Sequence, residues 1–252
     1  MRVAIAGKGG AGKTTISATL ARLLARAGAR VVAIDADANP NLSTALGVAP
    51  AEAGLLRSVP TSMVSRRQGG AGLTEPVDEI LARYTVEAPE GVRLLAMGTP
   101  SHAEEGCMCA AHAVVSSLLE DLGIDGDRMV IVDMEASPEH FSRGTVRHAD
   151  VVCLVAEPYY RSLETVRRMA TLAEELPVRR IVVVANKVRS ASDHKAIGEF
   201  CERQDLELAG TVPWSDEVGS ADRKREPIID WPSAAPVVDA IAAFAADLVR
   251  RR

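Results

Sequence analysis

The chain has no block of like charge: its 29 basic and 34 acidic residues are interspersed and leave a formal net charge of −5. An extended basic surface of the kind that holds nucleic acid or anionic membrane is therefore not its organising feature. Long apolar runs are missing as well. The longest are strand-sized, well short of the roughly 20 residues that cross a bilayer. The first residues enter a strand pattern at Arg2–Ala6 rather than a charged and then apolar leader. These absences set the expectation of a cytoplasmic protein with neither membrane nor nucleic acid as its main partner. Cysteine is scarce, with Cys107, Cys109, Cys153 and Cys201 the only four. In a reducing compartment such thiols point to metal, redox or burial rather than to disulfides. Cys153 falls inside an apolar strand pattern and Cys201 in a helical one, so both are expected to be inert and buried.

What is present is a 47% apolar composition over 252 residues, enough for a large core. We expect one domain over residues 1–252, with a flexible insertion at about 48–90. Short β-rich runs at Val3–Ala6, Val31–Asp35, Val92–Ala96, Met129–Asp133, Val151–Ala156 and Ile181–Ala185 read as buried parallel strands, and helical patterns lie between most of them. The alternation predicts an α/β fold with a doubly wound, mostly parallel sheet flanked by helices. Ligands of such a sheet gather at the carboxyl ends of its strands. The run Arg66-Arg67-Gln68-Gly69-Gly70-Ala71-Gly72 reads as a mobile loop within a helical insertion. Val237, Ile241, Phe244 and Leu248 have the spacing of a last core helix, whose end at Arg250-Arg251-Arg252 complements the dipole. An amphipathic membrane anchor is the other reading of that helix.

After the first strand comes Gly7-Lys8-Gly9-Gly10-Ala11-Gly12-Lys13-Thr14-Thr15, followed by a helix. This is the P-loop pattern in its required setting. Backbone N–H groups of Gly9, Gly10, Ala11, Gly12 and the residues up to Thr15 would crowd around phosphates. Lys13 would supply a point charge, and the Thr14 hydroxyl a Mg²⁺ ligand. Asp35 and Asp37 end the second strand pattern, and Asp133 ends Val130-Ile131-Val132, the form of a second Mg²⁺-holding carboxylate. Asp37 could also cap the following helix. Asn186 and Val212-Pro213-Trp214 close two further strand patterns.

With Lys8 at its second position, the loop resembles the deviant Walker A ATPases, a group that includes MinD and ParA proteins, arsenite and tail-anchored-protein ATPases and the nitrogenase iron protein. The resemblance implies a P-loop NTPase fold of the SIMIBI type. It also implies that Lys8 reaches across a homodimer to the partner's nucleotide, that Asp37 orients the attacking water and Asp35 lies near the metal, and that Asn186 and Pro213 hold adenine, favouring ATP/ADP over guanine nucleotides. The group usually has proline directly after the second aspartate, whereas here Ala38 stands there and Pro40 comes two residues on.

Gly106-Cys107-Met108-Cys109 precedes a helix expected over about 110–122. Two thiols at a helix N-terminus form half of a site for a soft metal. Together with Asp35-Ala36-Asp37, Glu105, Asp133-Met134-Glu135-Ala136, Glu139-His140, Arg143-Gly144, Val212-Pro213, Asp216-Glu217-Val218 and Ala221-Asp222-Arg223, they narrow the resemblance to the CooC-type ATPases, nickel-insertion accessory proteins of carbon monoxide dehydrogenase. That implies a metallochaperone-like switch in which Cys107 and Cys109 from two subunits bind Zn²⁺ or Ni²⁺ at the dimer interface, with a client metalloenzyme such as a carbon monoxide dehydrogenase. Ser137-Pro138 stands where a glycine is usual. His102, His112 and His140 are additional imidazoles that the motif does not assign. Three alternatives stay open: a MinD/ParA-like positioning ATPase on membrane or DNA, an iron–sulfur electron-transfer ATPase, and cysteines packed without metal.

Overall fold

The computed structural model describes residues 1–67, 70–97, 109–123 and 128–251. Its main sheet has eight strands. In chain order they are β1 (Arg2–Gly7), β2 (Arg30–Ala36), β5 (Val86–Ala88), β6 (Val92–Ala96), β7 (Arg128–Met134), β8 (Val151–Ala156), β9 (Arg180–Val188) and β10 (Glu207–Pro213). The remaining two, β3 (Val64–Arg67) and β4 (Gly70–Leu73), form a separate antiparallel hairpin. The spatial order is β10-β9-β8-β1-β7-β2-β6-β5, every pairing parallel except the edge pair β5–β6. The chain leaves β7 on one side of β1 and resumes at β8 on the other. That reversal opens a crevice at the carboxyl end of β1.

The strands are near-continuous runs of Val, Ile, Ala and Leu because both faces of the sheet are covered. Successive residues go to opposite faces. Val3, Ile5, Val31, Ala33, Met129 and Ile131 pack with α1 (Lys13–Arg26), α2 (Leu42–Leu46) and α10 (Ala235–Arg250), whereas Ala4, Ala6, Val32, Ile34, Val130 and Val132 pack with α4 (Val77–Tyr84), α5 (Cys109–Leu122), α7 (Tyr160–Glu174) and α8 (Ala191–Arg203). The short helices α3 (Pro50–Ala53) and α6 (Glu139–Ser142) and the nine-residue α9 (Asp216–Lys224) complete the set. Cys153 and Cys201 are buried and free, and burial raises both thiol pKa values, that of Cys201 to about 11.

Pro232–Arg250 is the one segment among the described residues long and apolar enough to cross a membrane. Its Val237, Ile241, Phe244 and Leu248 are all buried against the sheet. Arg250 and Arg251 pair with Asp247, and Arg251 also with Glu207.

The segment expected as a helical insertion with a mobile loop contains strand as well as helix. Val64 pairs with Leu73 and Arg67 with Gly70, Val59 donates its N–H to the Ala96 carbonyl at 3.2 Å, and Leu73, Ile80 and Leu81 are buried in the main core. The Arg/Gly composition concealed the alternation because glycine carries no side chain to report a face. Leu81→Ala should therefore lower unfolding stability by about 2–5 kcal/mol. Chemical denaturation showing a loss under ~0.5 kcal/mol would mean that this segment is an appendage to the core.

Candidate functional site

The loop between β1 and α1 is shaped by close approach. Gly7 has φ 148°, and a Cβ on it would lie 2.6 Å from the Val155 carbonyl oxygen of β8. Gly12, the N-cap of α1, has φ 95°, supplies no side-chain cap, and is followed by a first turn without acidic residues. The first α-helical bond runs from the Ile16 N–H to the Gly12 carbonyl. The N–H groups of residues 13–15 thus face outward from a positive helix end, an arrangement that favours an anion. Asn186 and Lys187 at the end of β9 brace the loop from outside: Asn186 Nδ2 donates to the Ala11 carbonyl at 2.6 Å and Lys187 Nζ to the Gly10 carbonyl at 2.5 Å. Lys187 also pairs with Glu157 at 2.9 Å and holds a left-handed φ of 59°. The sequence reading assigned a role to Asn186 but none to its neighbour. The one available signal was an Asn-Lys pair ending an apolar strand.

Register brings the acids together. Asp35 of β2 and Asp133 of β7 are direct partners across a parallel pair, 2% and 1% exposed. Asp35 Oδ1 accepts from the Asp37 N–H at 3.2 Å and Oδ2 from the Leu42 N–H at 2.9 Å. Asp35, not Asp37, therefore anchors the start of α2, while Asp37 Oδ1 accepts from the Asn39 N–H at 2.8 Å in a local turn. Asp133 accepts from Ser17 Oγ at 3.0 Å, a partner the sequence motif did not reveal, and Thr14 also hydrogen-bonds to it. Burial pushes the Asp133 carboxyl up to about 7 and Asp35 to about 6, each acid adding to or opposed by its neighbours: Asp35 raises Asp133, the Thr14 and Ser17 hydroxyls lower it. Burial likewise lowers the pKa of Lys13, opposed by Asp133, Asp37 and Glu135. Lys13 Nζ lies 3.4 Å from the Lys8 carbonyl oxygen. Two aligned carboxylates beside hydroxyls and an ammonium form an oxygen-rich donor set that suits a hard divalent cation bound with phosphate.

Lys8 is half-buried, its Nζ 5.8 Å from the centre of the Tyr159 ring. A cavity of about 900 Å³ opens beside the loop, lined among others by Thr15, Asn186, Pro213, Trp214 and Asp216. It thus brings together the two residues expected at a base. Arg189 stacks 3.8 Å above the Trp214 ring at its rim. On the other side, the Met97 N–H donates to the Asp35 carbonyl at 2.8 Å, so the chain leaves β6 next to the acidic pair, and Cys109 opens α5. Cys107, His102 and Glu105 lie outside the described residues. Among the described residues no group of three or more His, Cys, Asp or Glu could hold a metal ion.

Residues 3–228 match the CobQ/CobB/MinD/ParA nucleotide-binding domain. The chain is 40% identical over 233 residues to the carbon monoxide dehydrogenase accessory protein CooC of Rhodospirillum rubrum, covering 88% of this chain and 87% of that one. In fold it is similar to the MinD cell division protein of Aquifex aeolicus, with a TM-score of 0.74, 23% identity and coverage of 99% and 97%. A septum site-determining protein MinD from Pyrococcus horikoshii complexed with Mg-ADP gives a TM-score of 0.71 at 17% identity, covering 98% and 96%.

Two outcomes follow from this geometry. Gly12→Ala forces a Cβ into Asn186 at a left-handed φ, and misplacing the loop should cost about 100-fold in kcat/KM for ATP. Steady-state kinetics within about threefold of wild type would refute that. Asp133 has its folded pKa raised to about 7, so in the metal-free protein its contribution to stability is most favourable below the unfolded value near 4 and is lost as pH rises towards 7. Asp133→Asn should flatten that part of the Tm profile and melt higher than wild type at pH 8 while losing Mg²⁺-dependent hydrolysis; a lower Tm at pH 8 would contradict it.

Proposed function

The chain belongs to the CobQ/CobB/MinD/ParA nucleotide-binding family and is a P-loop ATPase similar to CooC, and from that premise we propose that it is a homodimeric, cytoplasmic Mg-ATP switch that carries Ni²⁺ or Zn²⁺ to a client metalloenzyme. The observation that carries this reading is the 40% identity to a carbon monoxide dehydrogenase accessory protein over nearly nine-tenths of both chains, in a sequence that holds Cys107 and Cys109. Placement supports it. In chain order the two cysteines stand between β6, after which the Met97 N–H bonds to the Asp35 carbonyl, and α5, which begins at Cys109.

On this reading the N–H groups of Gly9–Thr15 hold the β- and γ-phosphates, with Lys13 as the neutralising charge. Thr14, Asp133 and Asp35 would hold Mg²⁺, which supplies charge neutralisation at the phosphates. The raised carboxyl pKa values are the expected signature of acids whose charge is balanced by a cation when the site is loaded. Asp37 orients the attacking water. Lys8 serves the nucleotide of the second subunit, and its perch over the exposed Tyr159 ring leaves the ammonium at the surface side of the loop. Asn186 and Pro213 flank the base. Cys107 and Cys109 of each subunit give four thiolates per dimer, the number a closed tetrahedral site needs. The engagement of Arg250 and Arg251 with Asp247 and Glu207 and the burial of the apolar face of α10 favour this reading over a membrane-positioning role.

Elemental analysis of anaerobically purified protein, combined with mass measurement in solution, should give one Ni or Zn per dimer and none in Cys107→Ser; equal metal in both would sink the metal reading. Lys8→Ala should leave ATP affinity within about threefold and lower kcat by 10³-fold or more, the scale of a charge supplied in trans. An unchanged kcat would remove the dimer from the mechanism.

A further inference from the structure

Lys8 departs from what the charges around it would suggest. The site holds Asp35, Asp37, Asp133 and Glu135 against the ammonium of Lys13, and acids in such excess attract a further cation on the same loop. Yet among the described residues the Lys8 side chain makes no hydrogen bond and no ion pair. Its neighbour is instead an aromatic face. The ammonium lies 5.8 Å from the centre of the Tyr159 ring, within the distance at which a ring quadrupole attracts a cation.

That ring is fixed from several directions. Tyr159 is the N-cap of α7, extended at φ −144° and ψ 154°, and its carbonyl accepts the Ser162 and Leu163 N–H groups at 3.0 and 3.2 Å. Its own N–H donates to the Glu157 carbonyl at 2.8 Å, and its hydroxyl to Glu157 Oε2, also at 2.8 Å. Glu157 is 7% exposed and is held in turn. Its N–H donates to the hydroxyl oxygen of the buried Ser162 at 2.9 Å, and its Oε1 pairs with Lys187 Nζ at 2.9 Å. Lys187 then donates to the Gly10 carbonyl. The connections return to the phosphate loop two residues beyond Lys8, so ring and loop form one braced unit. With 40% of its surface exposed, Tyr159 contributes little to the core, and the contact it does make is with Lys8.

We propose that Tyr159 is a positioning residue for Lys8: its ring, braced through Glu157 and the start of α7, keeps the ammonium off the acids of its own site and presents it on the surface side of the loop to the nucleotide of a second subunit. The proposal rests on the reading of Lys8 as a charge supplied in trans. Excluding a wrong pairing serves orientation as much as making a right one does. A ring face attracts an ammonium less strongly than a phosphate does, so it directs the side chain without competing for it during hydrolysis. A carboxylate in the same place would compete.

Steady-state hydrolysis of Mg-ATP by the full chain reads kcat and KM separately. Tyr159→Leu removes the ring face and should lower kcat about tenfold with KM within about threefold, since the loop's own contacts with phosphate are untouched. Tyr159→Phe keeps the face over Lys8 and should stay within about threefold of wild type in both. In a Lys8→Ala background Tyr159→Leu should change kcat by less than about twofold, because the two residues act as one unit. A general weakening of the fold would lower kcat by the same factor in both backgrounds. Tyr159→Gln gives the same reading should the leucine variant fail to fold. A wild-type kcat in Tyr159→Leu, an equal loss in Tyr159→Phe, or a loss that persists without Lys8 overturns the proposal. The two readings fail apart: an unchanged kcat in Lys8→Ala overturns the role in trans, whereas an impaired Lys8→Ala beside a fully active Tyr159→Leu overturns the positioning role alone.

Discussion

Asp35 and Asp133 are forced side by side by the parallel register of β2 and β7, and most of what surrounds them follows from that contact. Two nearly inaccessible carboxylates repel one another and lose their hydration. The fold answers with short-range donors: the Asp37 and Leu42 N–H groups for one acid, the Ser17 and Thr14 hydroxyls for the other. Lys13, itself buried, supplies one positive charge against two acids. A cluster of this kind is most comfortable when a divalent cation and phosphate enter together, because each then neutralises what the other leaves exposed.

The rest of the architecture delivers these groups to one edge. Buried strands β1, β2 and β7 end at the P-loop, Asp35 and Asp133; Asn186 and Lys187, from β9, pin the loop's carbonyls. The Met97 N–H ties the end of β6 to the same edge, and the segment after β7 folds back through α6 onto α5. Nucleotide chemistry and the start of α5 are therefore neighbours by topology. The proposed metal-carrying switch draws on that adjacency.

Much of this was legible in the sequence. Six strands announced themselves as unbroken apolar runs, because a two-sided sheet needs apolar residues at every position. The P-loop was readable because its glycines are steric requirements, as the close approaches at Gly7 and Gly12 make clear. The family followed from Lys8, the two aspartates and the paired cysteines, and the comparisons agree with it. Less legible were features that arise between distant segments. Lys187 and Ser17 bond to partners far away in the chain, and the β3–β4 hairpin is glycine-rich. The His112–His140 contact joins residues whose spacing carries no periodic signal. Asp35 takes the helix-anchoring bond that spacing alone could equally have given to Asp37.

If Asp35 and Asp133 hold protons in the empty site and seat Mg²⁺ in the loaded one, Mg-nucleotide binding must displace those protons. Calorimetry of Mg-nucleotide binding near pH 6.5, repeated in buffers of different ionisation enthalpy, reads the protons displaced as those acids ionise. Wild type should release about one proton per site, falling towards zero at pH 8.5 and strongly reduced in Asp133→Asn. Tight Mg-nucleotide binding with no proton release near pH 6.5 would contradict it.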